Sequence, residues 1–114
     1  MSTATPSSAT PSSEMLRLIS ERFKALGEPA RLQLLYALQG RECSVNELVD
    51  ETGLAQTNVS KHLQLLHTLR FVRRRKAGLF VYYALADVGV INLCTVVSHH
   101  VQTQHEAQQR LLDS

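Results

Sequence analysis

The chain has 114 residues, 44% of them apolar, with 12 Lys+Arg against 10 Asp+Glu, five His, two Cys and no Trp. That length makes one small domain, which buries about two thirds of its unfolded surface without disulfides or structural metal and argues against a three-layer α/β enzyme. Cys43 and Cys94 are too few for a disulfide scaffold and lack C-x-x-C spacing, and a net charge of +2 by itself implies no partner.

Residues 1–13 hold a direct repeat, ATPSS at 4–8 and again at 9–13, with no charge and little apolar content. Such a segment does not offset its ordering entropy and reads as a disordered low-complexity tail. The folded domain is expected over 14–112. Leu16, Ile19, Phe23 and Leu26 recur on one helix face and Gly27 ends the run, which predicts a first amphipathic helix. Pro29 opens a second helix behind Glu28. Leu32, Leu34, Leu35, Tyr36 and Leu38 make it apolar on most sides, hence central, and Gly40 closes it.

Ser44 and Glu47 form an S-x-x-E capping box for a two-turn third helix with Val45, Leu48 and Val49 on its apolar face. After Gly53 a fourth helix turns Val59, Leu63, Leu66 and Leu69 inward and leaves Thr57, Ser60, Lys61 and Gln64 on the opposite stripe. Two helices joined by a short glycine-containing turn make a helix-turn-helix. Residues 71–76 and 79–84 are rich in Val, Phe and Tyr around Ala77 and Gly78, which predicts a β-hairpin with Gly78 in the left-handed conformation. A last helix over about 87–111 buries Val90, Leu93, Cys94, Val97 and Val101, and at that length it must pack on something, for which the same helix of a second chain is the candidate. The expected fold is α+β, mostly α: a winged helix-turn-helix with a two-stranded β-wing and long terminal dimerisation helices.

Residues 52–86 contain six basic side chains, Lys61, Arg70, Arg73, Arg74, Arg75 and Lys76, and no carboxylate, while the remainder holds six basic and ten acidic residues. The small total conceals a dipole. An ordinary solvated face mixes both signs, whereas a face that excludes carboxylates suits a polyanion such as DNA. Gln56, Thr57, Asn58, Ser60, Lys61 and His62 lie at or near the N-terminal end of the fourth helix, the end that enters the major groove, and Gln64 continues their stripe. His62 precedes the core residue Leu63 and reads equally as a packed structural histidine. The run Arg73, Arg74, Arg75, Lys76 alternates faces on a strand, so about half of it grips phosphate and the rest lies along the subunit surface. The alternative of another class is a protein-interaction module whose basic face docks an acidic partner. Cys43 or Cys94 as a nucleophile would lack a Gly-rich loop or carboxylate pair, so an enzyme is not expected. Apolar runs too short for a bilayer, and a start without a basic and then apolar stretch, suggest the reducing cytoplasm.

The segments LGEPARLQLLYAL, CSVNEL, GLAQTNVSKHLQLL and RRRKAGLFVYYAL give residues 23–85 a pattern that resembles the ArsR/SmtB family of bacterial winged-helix repressors. The V-S-x-H-L-x-x-L segment at 59–66, followed by an R-R-x-x-G-x-x-x-Y-Y wing, carries the resemblance. It implies a homodimer assembled through the first and last helices, a double-stranded DNA operator with inverted repeats, and release of that operator by an effector. Ala55 departs from the family, whose members usually carry a capping Ser there.

The resemblance also frames the effector. Arsenite-sensing members carry C-V-C at the start of the third helix; here Ser44 and Asn46 stand at the paired positions and Cys43 falls one residue early. Zinc-sensing members carry D-x-H-x10-H-x2-[HE] on the last helix. Asp87 and His100 keep that spacing, but Gly89 and Thr103 replace the other two ligands, leaving an incomplete metal site and no recognisable cofactor. His99, His100, His105 and Glu106 never pair at one-turn spacing and read as a solvated helix tail. Other relatives respond to reactive sulfur or oxidants through one thiol near the second helix and one on the last. Cys43 and Cys94 lie loosely in those regions, with Tyr36 at the second-helix Cys position, and both also read as small buried hydrophobes.

Overall fold

The computed structural model describes residues 9–113, so residues 1–8 of the expected tail lie outside the described residues. Helix α1 spans Ser13–Leu26, and its N-cap is Ser12, whose hydroxyl accepts from the Met15 amide at 3.1 Å. The second copy of the repeat thus ends by capping a helix. Helix α2, Pro29–Ala37, starts on proline, whose missing amide costs nothing at that position. Strand β1 is only Cys43–Ser44, and helix α3, Val45–Thr52, follows at once. Ser44 serves both elements: its hydroxyl accepts from the Glu47 amide at 3.2 Å while Glu47 Oε1 accepts from the Ser44 amide at 2.8 Å, the expected capping box. Those bonds hold the Glu47 carboxyl below its ordinary pKa.

Helix α4 spans Gln56–Thr68 and ends in a Schellman motif: the Arg70 amide donates to the His67 carbonyl at 3.0 Å and the Phe71 amide to the Leu66 carbonyl at 2.9 Å. The residue that must turn left-handed there is Arg70, at φ 66°, the one non-glycine with positive φ among the described residues. Glycine would hold that conformation about 1 kcal/mol more cheaply.

Strands β2, Val72–Ala77, and β3, Phe80–Leu85, pair antiparallel with Ala77 opposite Phe80, so the turn is Gly78-Leu79, one residue later than expected. Gly78 is left-handed at φ 61°. The hairpin is the expected two-stranded wing, and β1 adds to it to make a three-stranded sheet in the order β1-β3-β2, with Cys43 opposite Tyr83 and Ser44 opposite Tyr82. Two residues carry too little alternation to be read as a strand, and only the register with β3 makes them one.

The core is Leu34, Leu35 and Leu38 from α2 and its end, Leu48 from α3, and Val59, Leu63 and Leu66 from α4, closed by Cys43, Val72 and Tyr83 of the sheet. Truncating one of these leucines to alanine costs roughly 2–5 kcal/mol. Helix α5, Gly89–Asp113, contributes only Val90 and Ile91 to this core. Leu93, Val97 and Val101, expected to be buried, are exposed in the single chain, and so are Leu16, Ile19 and Phe23 of α1. Their periodicity makes an apolar face that the described residues of one protomer leave largely uncovered. No helix among the described residues is long and apolar enough to cross a membrane.

Candidate nucleic-acid interface

Val59, Leu63 and Leu66 anchor α4 in the core, and that rotation leaves Gln56, Thr57, Asn58, Ser60, Lys61 and Gln64 exposed. None of these side chains makes a hydrogen bond among the described residues. Ala55 at the N-cap offers no side-chain acceptor, so the first-turn amides of α4 also remain open to an anion. Hydroxyl, amide and ammonium groups on one stripe are what base edges and phosphates in a major groove accept and donate to.

His62 is oriented differently. It is half-buried, and its Nδ1 lies 3.1 Å from Arg31 Nη1 of α2. A guanidinium has only donors, so Nδ1 accepts and the ring proton resides on Nε2. Of the two readings of His62, this contact supports the packed one.

The basic run of the wing divides by face. Arg73 and Arg75 stand opposite Ala84 and Tyr82, whereas Arg74 and Lys76 stand opposite Tyr83 and Val81. Arg73 Nε donates to the Leu85 carbonyl at 3.3 Å. Arg75 grips Glu42 with two bonds, Nε to Oε2 at 3.0 Å and Nη2 to Oε1 at 2.7 Å, and its guanidinium sits 5.0 Å from the centre of the Tyr82 ring. The pair holds the Glu42 carboxyl below its ordinary range. Arg74 and Lys76 are exposed and form no hydrogen bond or ion pair among the described residues, which leaves them the unengaged cations of the wing.

The candidate effector residues are not brought together. Cys43 is 1% exposed, inside the core beside Tyr83, and burial pushes its thiol pKa up. Cys94 lines an apolar cavity of about 310 Å³ between α1, α2 and α5, walled by Phe23, Leu26, Leu32, Tyr36, Leu93 and Val97. Burial raises its pKa also, opposed by the nearby Tyr36 hydroxyl. Asp87 Oδ1 accepts from the Gly89 amide at 2.7 Å ahead of α5, and the helix from there to exposed His100 runs roughly 16 Å at 1.5 Å per residue. Among the described residues of the single chain no group of three or more His, Cys, Asp or Glu lies together as a metal site would need.

Two residues lie beside the α4 stripe and the wing cations. Glu42, the residue before β1, neutralises Arg75 of β2 across the intervening strand β3, and no local pattern announces that pairing. Arg70 belongs to the carboxylate-free segment, and its charge was the available signal.

The model of bacterial regulatory proteins of the arsR family matches residues 28–74. The transcriptional repressor SmtB homolog of Synechocystis sp. is 39% identical over 84 residues, covering 74% of this chain and 64% of that protein, so the chain spans less than two thirds of that relative. The HTH-type transcriptional regulator Rv0081 of Mycobacterium tuberculosis is 34% identical over 86 residues, 75% of each protein. Its crystal structure superposes with a TM-score of 0.77 at 30% identity, over 85% of this chain and 98% of that one. The homodimeric winged helix-turn-helix DNA-binding domain of a Mycobacterium bovis protein, solved by NMR, gives a TM-score of 0.70 at 30% identity, over 82% of this chain and 90% of that one.

Proposed function

The chain belongs to the arsR family of bacterial regulatory proteins, and from that premise we propose that it is a homodimeric transcriptional repressor that binds an inverted-repeat operator and leaves it when an effector acts. One observation carries the reading: the exposed polar stripe of α4 and the unengaged Arg74 and Lys76 of the wing belong to a segment without a single carboxylate. Ser60, Lys61, Thr57 and Gln64 read bases from α4, with Gln56 and Asn58 at its leading end, and the wing holds the backbone. The apolar faces of α1 and α5 pair with those of a second copy, as the homodimeric neighbour supports.

Of the two thiols, Cys94 is the one placed to respond to reactive sulfur or an oxidant, because it lines a cavity between the dimerisation helices while Cys43 is sealed in the core. The domain over 14–112 would carry the whole activity, in the cytoplasm.

The test is a salt titration of a fluorescent duplex taken from upstream of the protein's own gene. Three phosphate contacts per protomer give a log-log slope of about −5. Lys61→Ala or Ser60→Ala weakens sequence preference, and Arg74→Ala weakens all DNA alike. An affinity indifferent to salt refutes the reading. No sequence-selective binding under reducing, metal-free conditions points instead to an acidic protein partner. Adding zinc, arsenite, a persulfide donor and peroxide in turn identifies the effector, and a response that persists in Cys94→Ser and Cys43→Ser excludes a thiol switch.

A further inference from the structure

We propose that the open depression between the C-terminal end of α4 and the root of β2 is a second DNA-backbone site, in which Arg70 binds a phosphate outside the groove that α4 reads. The inference rests on the DNA-binding reading above and extends it to a residue outside that interface. The depression measures about 720 Å³ and is lined by His67, Thr68, Arg70, Arg73 and Arg74.

Three features point to an anion. Arg70 places a cation at a position whose φ of 66° favours glycine. Its guanidinium makes no hydrogen bond or ion pair among the described residues. It is not spent on the helix end either: the Leu65, Leu66 and His67 carbonyls accept from the Leu69, Phe71 and Arg70 amides, and the Thr68 hydroxyl donates to the Gln64 carbonyl at 3.0 Å. The next acidic residue in the chain, Asp87, has its carboxylate on the Gly89 amide at 2.7 Å.

The dimensions fit. Thirteen residues of α4 extend roughly 20 Å, and a major groove is about 12 Å wide, so a helix that enters by its N-terminus carries its far end out to the bordering backbone.

Arg70→Gly tests this cleanly, because the change removes the cation while relieving the left-handed strain. Its thermal midpoint should be no lower than that of the unmodified protein. Its operator affinity should fall on the order of 30-fold at 0.15 M salt, and its salt slope should be shallower by about 1.8 for the two protomers. Arg70→Lys should recover part of both. With neutral methylphosphonates placed one at a time along the operator, the unmodified protein should lose affinity at an outer phosphate to which Arg70→Gly is indifferent. Unchanged affinity and slope in Arg70→Gly, with Lys61→Ala and Arg74→Ala still impaired, would overturn the inference and leave the DNA-binding reading standing. If the unmodified protein shows no salt-dependent DNA binding, both fall together.

Discussion

Arg31 ties the reading helix to the body of the protein: its Nη1 donates to His62 Nδ1 at 3.1 Å while its Nε donates to the Ala25 carbonyl at 2.6 Å. One side chain of α2 thereby joins the last turn of α1 to the middle of α4. Both residues are half-buried, so the acceptors left by a truncation are partly screened from water. Arg31→Ala should cost about 1–3 kcal/mol in urea unfolding. Arg31→Lys should recover only part, since a single ammonium on a flexible stem does not reproduce the two-pronged geometry. A stability unchanged in Arg31→Ala would show that the contact is incidental.

The wing cations are not equivalent. Arg75 is already paired with Glu42 and stacked on Tyr82, whereas Arg74 and Lys76 are unengaged. Arg74→Ala and Lys76→Ala should each make the DNA salt slope shallower by about 1.8 per dimer, and Arg75→Ala should change it far less.

Glu42→Gln should act in the opposite direction, because it releases Arg75 toward the backbone: tighter binding and a steeper slope. The pairing depresses the Glu42 pKa, so it is fully present above the ordinary carboxylate range and is lost as pH falls through the lowered folded value. Binding measured at neutral pH therefore reports the paired state. A Glu42→Gln variant that binds more weakly would show that the pair orients the wing instead of masking a cation.

The thiols should separate by accessibility. At neutral pH an alkylating reagent should modify Cys94 first and reach Cys43 only on unfolding, as mass spectrometry would show. Both pKa values lie above the ordinary one, so the Cys94 rate should climb about tenfold per pH unit from pH 7 toward 8.5. Tyr36→Phe removes the hydroxyl that favours the thiolate and should slow the reaction. Faster labelling of Cys43 would contradict the burial described above.

The open apolar faces of α1 and α5 predict their own test. Phe23 is 54% exposed and Val97 50%, and both border the same cavity. Phe23→Glu combined with Val97→Glu should yield a folded monomer by light scattering and circular dichroism, with operator affinity reduced. A dimer that survives both charges would place the interface elsewhere.

Much of the fold was legible because it is written locally. Pro29 at a helix start, the Ser44 and Glu47 box, and the valines and tyrosines around Gly78 each act within a turn or a hairpin, so their spacing foretold α2, α3 and the wing. The apolar stripe of α1 was equally plain as a stripe. What covers it was not, because periodicity reports that a face is apolar and never which surface meets it.

The sequence by itself determined the order of elements, the stripe that α4 presents and the segregation of positive charge into residues 52–86. Tertiary structure decided which of those groups are available. It turned His62 onto Arg31, 31 residues away, and set Glu42 against Arg75 across 33 residues. It made a strand of Cys43–Ser44 and left Arg70, Arg74 and Lys76 unengaged. Helix periods and caps depend on neighbours within one or two turns, but a pairing across thirty residues exists only once the core has docked the backbones that carry it.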